Sequence, residues 1–142
     1  MRTFGKVLGV IGLGRIGKLV AQRASAFGMR LVAYDPFLSP ERAKQLNVEL
    51  MELDELVAVA DFITLHVAKT PETIGMVGEE LLAKATPGLR VINVARGGIV
   101  DEAALAAAIE SGHIGGAAID VFATEPTTES PLFGLDSVVV TP

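Results

Sequence analysis

Three glycines, Gly12, Gly14 and Gly17, stand in the spacing G-x-G-x-x-G directly after an apolar run, Val7-Leu8-Gly9-Val10-Ile11. A loop of this kind between a strand and a helix can hold a pyrophosphate. The first glycine permits a tight turn, the second lets the backbone approach the phosphates with no Cβ in the way, and the third lets the helix pack close to the sheet. The helix that follows offers free N–H groups and a partial positive charge to an anion, with Arg15 and Ile16 in its first turn. Asp35 ends the next apolar run, Leu31-Val32-Ala33-Tyr34, at the roughly 20-residue spacing expected of the acid that meets an adenosine ribose. A carboxylate there accepts hydrogen bonds from both ribose hydroxyls and repels a 2′-phosphate, so the pattern points to NAD rather than NADP. The alternative is a plain strand–helix turn with Asp35 as a cap. Gly12, Gly17 and Lys18 also match the start of a phosphate-binding P-loop, but Leu19 stands where a Mg²⁺-holding hydroxyl is needed. Lys18 is then an ordinary solvated helix residue.

A second group of candidates lies further on. Arg96 follows the apolar run Val91-Ile92-Asn93-Val94 and precedes Gly97-Gly98. An Arg at the carboxyl end of a strand sits where ligands bind in open α/β sheets, and its guanidinium can grip a carboxylate through two parallel hydrogen bonds. Spacing alone fits an ordinary surface ion pair as well. Asp120, at the end of Ala117-Ala118-Ile119, and Glu125, before Pro126, both fit plain loop chemistry. His66 is expected to pack or to bond backbone, and His113 to be exposed.

Those residues need a frame, and the chain supplies one. Short apolar runs alternate with helical stretches from end to end. Strands are expected at 7–11, 31–34, 62–66, 90–94, 117–121 and 137–141, with 50–53 ambiguous. Ile16, Leu19, Val20 and Phe27 recur at helical spacing up to Gly28. Ser39-Pro40-Glu41 starts a short helix ending near Asn47, Asp54 caps one through Ala60, 79–85 is helical, and Asp101 caps an Ala-rich helix over 102–111. Thr70-Pro71-Glu72 opens a turn or short helix. Strands alternating with helices imply right-handed βαβ units. The expected fold is α/β, a Rossmann-type doubly wound parallel sheet in a single domain, 1–142.

Composition agrees. Half of the 142 residues are hydrophobic and 5% are aromatic, a Val/Ile/Leu/Ala bias that suits strands buried on both faces. The net charge is −5, with no basic stripe for nucleic acid. There is no Cys and there are two His, which excludes disulfides, thiolate catalysis and Cys-based zinc sites and leaves no basis for a metal. No run approaches the roughly 18 apolar residues of a membrane span, so a soluble chain is expected, and the lack of Cys fits the cytosol.

In order along residues 5–142, the stretches 12–17, Tyr34-Asp35-Pro36, 61–66, 93–101, 116–122 and Thr124-Glu125-Pro126 together resemble the D-2-hydroxyacid dehydrogenase family. The resemblance implies hydride transfer between NAD and a 2-hydroxy acid, with 3-phosphoglycerate, on the way to L-serine, as the substrate most closely implied. It makes Arg96 the residue that binds the substrate carboxylate and polarises the carbonyl. Glu125 becomes the acid that pairs with a catalytic His and raises its pKa. Asp120 would lie near the nicotinamide carboxamide, Ala95 near the nicotinamide ribose, and Tyr34, Asp35 and Pro36 around the adenosine. Arg15 and Ile16 would offer backbone N–H groups to the pyrophosphate, and Thr73 would reach a phosphate. The family's His-x-Pro is here His66-Val67-Ala68, which implies a less rigid loop near the adenine. The family's catalytic His follows a Thr-Pro pair, and the chain's last residues are Thr141-Pro142. The resemblance therefore places that His and the substrate domain outside this chain, which alone would bind NAD without turnover. It also implies a cytoplasmic homodimer, with an apolar surface on the 102–111 helix or the 122–133 stretch. An NAD-sensing dimerisation module of corepressor type and a glyoxylate or hydroxypyruvate reductase domain are the alternatives within the resemblance.

Overall fold

In a computed structural model, which describes residues 3–122, 125 and 130–141, seven parallel strands form one sheet in the order β3-β2-β1-β4-β5-β6-β7. The elements run β1 (Val7–Ile11), α1 (Arg15–Ala26), β2 (Arg30–Tyr34), α2 (Pro40–Gln45), β3 (Glu49–Leu50), α3 (Leu53–Val59), β4 (Phe62–Leu65), α4 (Glu79–Ala83), β5 (Leu89–Asn93), α5 (Glu102–Glu110), β6 (Ile114–Ile119) and β7 (Val138–Val140). The doubly wound α/β fold expected from the pattern is the one observed. Strand order reverses between β1 and β4, so their loops leave toward opposite faces and open a crevice at the carboxyl ends.

Side-chain alternation along the strands divides the core in two. Leu8 and Val10 of β1, with Leu31 and Ala33 of β2, pack with Leu13 and Ala21 beneath α1 and Ala43 beneath α2. Ile11, Val32, Ile63, Leu65 and Val91 point the other way, into a larger cluster with Leu56 of α3, Leu82 of α4 and Leu105 of α5. Full burial of each such Leu or Ile stabilises the fold by about 1.5–3 kcal/mol. Gly9 faces α3, where a Cβ would come within 3.1 Å of Leu56 Cγ and 3.3 Å of Ala60 Cβ. A larger residue there would lift the helix off the sheet.

Several local expectations need correction. The helical apolar stripe of α1 is its buried face only at Val20, which packs against the core. Ile16, Leu19 and Phe27 are 64%, 46% and 69% exposed, and the helix is buried through Gly17 and Ala21, because small residues let it approach the sheet closely. Asp54 lies inside the first turn of α3, whose N-cap is Glu52. Of the ambiguous stretch 50–53, Leu50 ends the two-residue strand β3 (Glu49–Leu50), paired parallel with β2, and Leu53 opens α3. The sixth strand begins earlier than expected, at Ile114, so Asp120 is just past its end. Ser39 and Asp101 cap as expected, accepting from the N–H groups of Arg42 at 3.3 Å and Ala104 at 3.1 Å. No helix among the described residues is long and apolar enough to cross a membrane.

Candidate functional site: the crevice at the carboxyl ends of β1, β4 and β5

The glycine loop is built from β1 into α1. Gly12 has φ +95°, and a Cβ there would lie 2.7 Å from the carbonyl oxygen of His66. Only glycine fits that turn. A Cβ on Gly17 would strike the carbonyl oxygen of Gly12 and lie 3.5 Å from His66 Cβ. The closeness required of Gly17 is thus first to the loop's own turn, with the end of β4 behind it. Gly14 differs, since a Cβ there would meet nothing within 4 Å. The space over Gly14 is open. Gly14 is also the N-cap of α1, with no side-chain cap bond and no acid in the first turn. The N–H groups of Arg15 and Ile16 therefore carry the positive end of a 12-residue helix toward an anion. This cradle fits the pyrophosphate of NAD.

Asp35 follows β2 and faces the same loop. Its Oδ2 accepts the N–H of Leu13 at 2.8 Å, and its Oδ1 accepts the N–H of Phe37 at 2.9 Å. The Gly12 N–H donates to the carbonyl of Tyr34 at 2.9 Å. The loop and the end of β2 at Asp35 are thus one bonded unit. Tyr34 is half-buried and Pro36 exposed beside it.

On the other side of the switch point, Ile16, His66, Val67, Ala68, Lys69 and the segment Val94–Arg96 enclose an opening of about 450 Å³. Arg96 is exposed, its Nη1 donates to the carbonyl of Ala95 at 2.7 Å, and it has no carboxylate partner among the described residues. The surface-ion-pair alternative for Arg96 finds no partner there. Sequence reasoning missed what holds this turn. Asn93, buried at the end of β5, donates from Nδ2 to the Arg96 carbonyl at 3.0 Å and accepts the Ala95 N–H at 3.1 Å. The signal was a polar residue inside the apolar run from Val91 to Val94.

His66 is half-buried, with its backbone N–H on the Ile11 carbonyl at 2.7 Å and Nε2 2.9 Å from Thr64 Oγ1. Burial lowers its pKa from the ordinary 6.5, so the ring is neutral at pH 7. The loop after it is firmly tied, despite Ala68 standing where the family has proline. Thr73 Oγ1 donates to the Ala68 carbonyl at 2.7 Å and accepts the Thr70 N–H at 2.8 Å. The single hydroxyl proton of Thr73 is therefore engaged within the turn.

Toward the β7 edge of the sheet, the Asp120 N–H donates to the Asn93 carbonyl at 3.0 Å, which joins the ends of β5 and β6, and the Thr141 hydroxyl donates to Asp120 Oδ1. Glu125 is exposed, and its Oε2 accepts the Phe122 N–H at 3.3 Å. Thr124 and Pro126 of its motif lie outside the described residues, as do Pro142 and much of the 122–133 stretch. His113 is half-buried rather than exposed, with its Nε2 covered.

The family profile described as "D-isomer specific 2-hydroxyacid dehydrogenase, NAD binding domain" matches residues 1–142. D-3-phosphoglycerate dehydrogenase of Mycobacterium bovis is 63% identical over 139 residues, covering 98% of this chain and 26% of that protein. The Bacillus subtilis protein of the same name is 50% identical over 139 residues, again 98% of this chain and 26% of the relative. The chain thus spans about a quarter of the length of these curated relatives. Among solved structures, D-mandelate dehydrogenase of Rhodotorula graminis superposes with a TM-score of 0.93 at 35% identity, over 99% of this chain and 42% of that one. NAD-dependent formate dehydrogenase of Staphylococcus aureus, in complex with NAD, gives 0.91 at 34% identity over 99% and 42%.

Proposed function

We propose, from the premise that this chain belongs to the D-isomer specific 2-hydroxyacid dehydrogenases and is their NAD-binding domain, that the whole protein oxidises 3-phosphoglycerate with NAD, a step toward L-serine. The observation that carries the substrate is the 50–63% identity, over nearly the whole chain, to proteins named for it. When bound, NAD supplies the acceptor for the hydride leaving C2 of the hydroxy acid.

The chain's own residues have the following parts. The Arg15 and Ile16 N–H groups, above Gly12, Gly14 and Gly17, hold the diphosphate. Asp35 accepts from the adenosine ribose, flanked by Tyr34 and Pro36. Ala95 borders the nicotinamide ribose, and Asp120 orients the carboxamide. Arg96, held by Asn93 at the mouth of the crevice, fixes the substrate carboxylate and draws charge from the reacting carbon. Glu125 pairs with a His supplied from outside these 142 residues, which takes the hydroxyl proton, and keeps that His basic enough for the task. Thr73 donates to a phosphate only when its turn opens, since its one hydroxyl proton goes to the Ala68 carbonyl. The substrate-binding segments likewise lie outside this chain, which by itself binds NAD without turnover. The protein is cytoplasmic and pairs as a homodimer, with a two-chain mass expected by light scattering.

Reduction of glyoxylate is the second reading, favoured by a glyoxylate reductase of Paecilomyes thermophila at 35% identity and a TM-score of 0.92. The deciding experiment measures kcat/KM of the full-length protein for 3-phosphoglycerate and for glyoxylate, with both cofactors. Higher kcat/KM for 3-phosphoglycerate with NAD is expected; faster turnover of glyoxylate overturns the proposal.

A further inference from the structure

Lys69 lies on the β4–α4 loop and lines the same opening as Ile16, Ala95 and Arg96. Its stem runs over the Gly97–Gly98 turn, where a Cβ on Gly98 would be 3.5 Å from Lys69 Cε and 3.6 Å from Nζ. The loop that carries it is held at both ends. Thr73 ties Ala68 and Thr70, and the Gly75 N–H donates to the Gly98 carbonyl at 2.7 Å. Lys69 is exposed, and the backbone that carries its stem is bonded on two sides.

Electrostatics gives this placement its meaning. The chain carries a net charge of −5, yet the ion pairs seen among the described residues are Arg30–Glu49 and Lys84–Asp54. Lys69 and Arg96, two cations on one opening, have no carboxylate there to share among the described residues. Uncompensated like charges in a crevice raise its affinity for an anion. Thr73, the loop residue expected from the sequence to meet a phosphate, has its one proton donated to Ala68. Lys69 has three donors free to turn toward the crevice.

We infer that Lys69 is a phosphate-binding residue of this crevice, acting as a second cation beside Arg96. The inference rests on the NAD-binding dehydrogenase reading and assigns that site a contact outside its glycine loop. The phosphate belongs either to the cofactor's diphosphate or to a phosphorylated substrate, and two measurements separate these sources. Lys69→Gln removes the charge and keeps a polar side chain; Lys69→Arg keeps the charge. The first arm titrates this chain calorimetrically with NAD and with ADP-ribose. The second measures kcat/KM of the full-length protein for 3-phosphoglycerate and for D-glycerate, the same hydroxy acid without phosphate, at saturating NAD.

One charge-assisted contact corresponds to a loss of about tenfold or more. If K69Q shows that loss for NAD and ADP-ribose and K69R does not, Lys69 meets the cofactor. If K69Q spares the cofactors but lowers kcat/KM for 3-phosphoglycerate and not for D-glycerate, Lys69 meets the substrate. Two results overturn the inference. One is values within about twofold of wild type in both arms, and the other is an equal loss on both substrates with cofactor binding unchanged. Should the full-length protein fail to oxidise 3-phosphoglycerate, the substrate proposal falls, and the titration arm alone decides Lys69.

Discussion

The carboxylate of Asp35 has two tasks in this domain. It is the acid expected to accept the adenosine ribose hydroxyls, and it already accepts the N–H of Leu13 in the glycine loop. Leu13 is buried, so Asp35→Ala leaves its N–H without a partner, at about 1–3 kcal/mol of folding stability. The variant is expected to lose its preference for NAD over NADPH without a matching gain in NADPH affinity, because the loop that holds either diphosphate is loosened. Thermal denaturation and calorimetric titration check the two parts; retained NAD preference overturns the ribose role. His66 adds a pH dependence. Burial lowers its pKa below the ordinary 6.5, so between the two values the unfolded chain binds more protons than the folded one. Stability due to the neutral ring is then present above pH 6.5 and lost as pH falls below it. The Tm should drop between pH 7.5 and 5.5, and His66→Gln should flatten that slope. Glycine spacing and the position of Asp35 were legible in the sequence because each answers to one local constraint. The Asp35–Leu13 bond was not, because it depends on the ends of β1 and β2 being brought side by side.

Elements repeat that distinction. The caps Ser39 and Asp101 were readable because a cap bond reaches only a few residues along the chain. Asp101→Ala should cost about 1 kcal/mol through loss of its bond to the Ala104 N–H, at the start of the nine-residue α5. Differential scanning calorimetry measures it, and an unchanged Tm would show that the α5 cap adds nothing. Of the stripe Ile16, Leu19, Val20, Phe27 only Val20 meets the core, since helical periodicity identifies an apolar face without saying what covers it. Here Gly17 and Ala21 face the sheet, and the larger side chains are left outside. Residues 49–50 carry no period at all, so β3 was visible only through its pairing with β2. The exposed side of α5 offers Ala103, Ala107 and Glu110, which gives no large apolar patch for the expected dimer contact. Large exposed apolar residues are found instead on α1 (Ile16, Leu19), on β7 (Val139, Val140) and in the loops, among them Phe4, Phe37 and, in the 122–133 stretch, Phe133.

At the scale of the molecule, the two cores share one sheet, and the ligand crevice lies where the sheet's two halves meet. Along one register row, Ala33, Val10 and Thr64 are buried under α1 and α2, Ile92 and Ala118 are half-buried, and Val139 is 63% exposed. Covering thus weakens from β1 toward β7, and the carboxyl ends of β1, β2, β4 and β5 carry the groups assigned to NAD. A ligand bound there holds the glycine loop, the Asp35 turn and the Arg96 turn in one arrangement, and each is bonded to a different strand. Binding to the folded chain alone stabilises it by mass action, by about 2.7 kcal/mol at a ligand concentration of roughly 100 Kd. For a domain of this size that corresponds to a rise in Tm of roughly 5–10 °C. NAD should produce one cooperative transition shifted as a whole, since the sheet is continuous through both cores. NADPH at the same concentration should produce a smaller shift, because its 2′-phosphate meets the carboxylate of Asp35. A Tm unmoved by NAD would mean that the loop, though formed, does not hold the cofactor. Equal shifts with both cofactors would mean that Asp35 serves the loop and not the ribose.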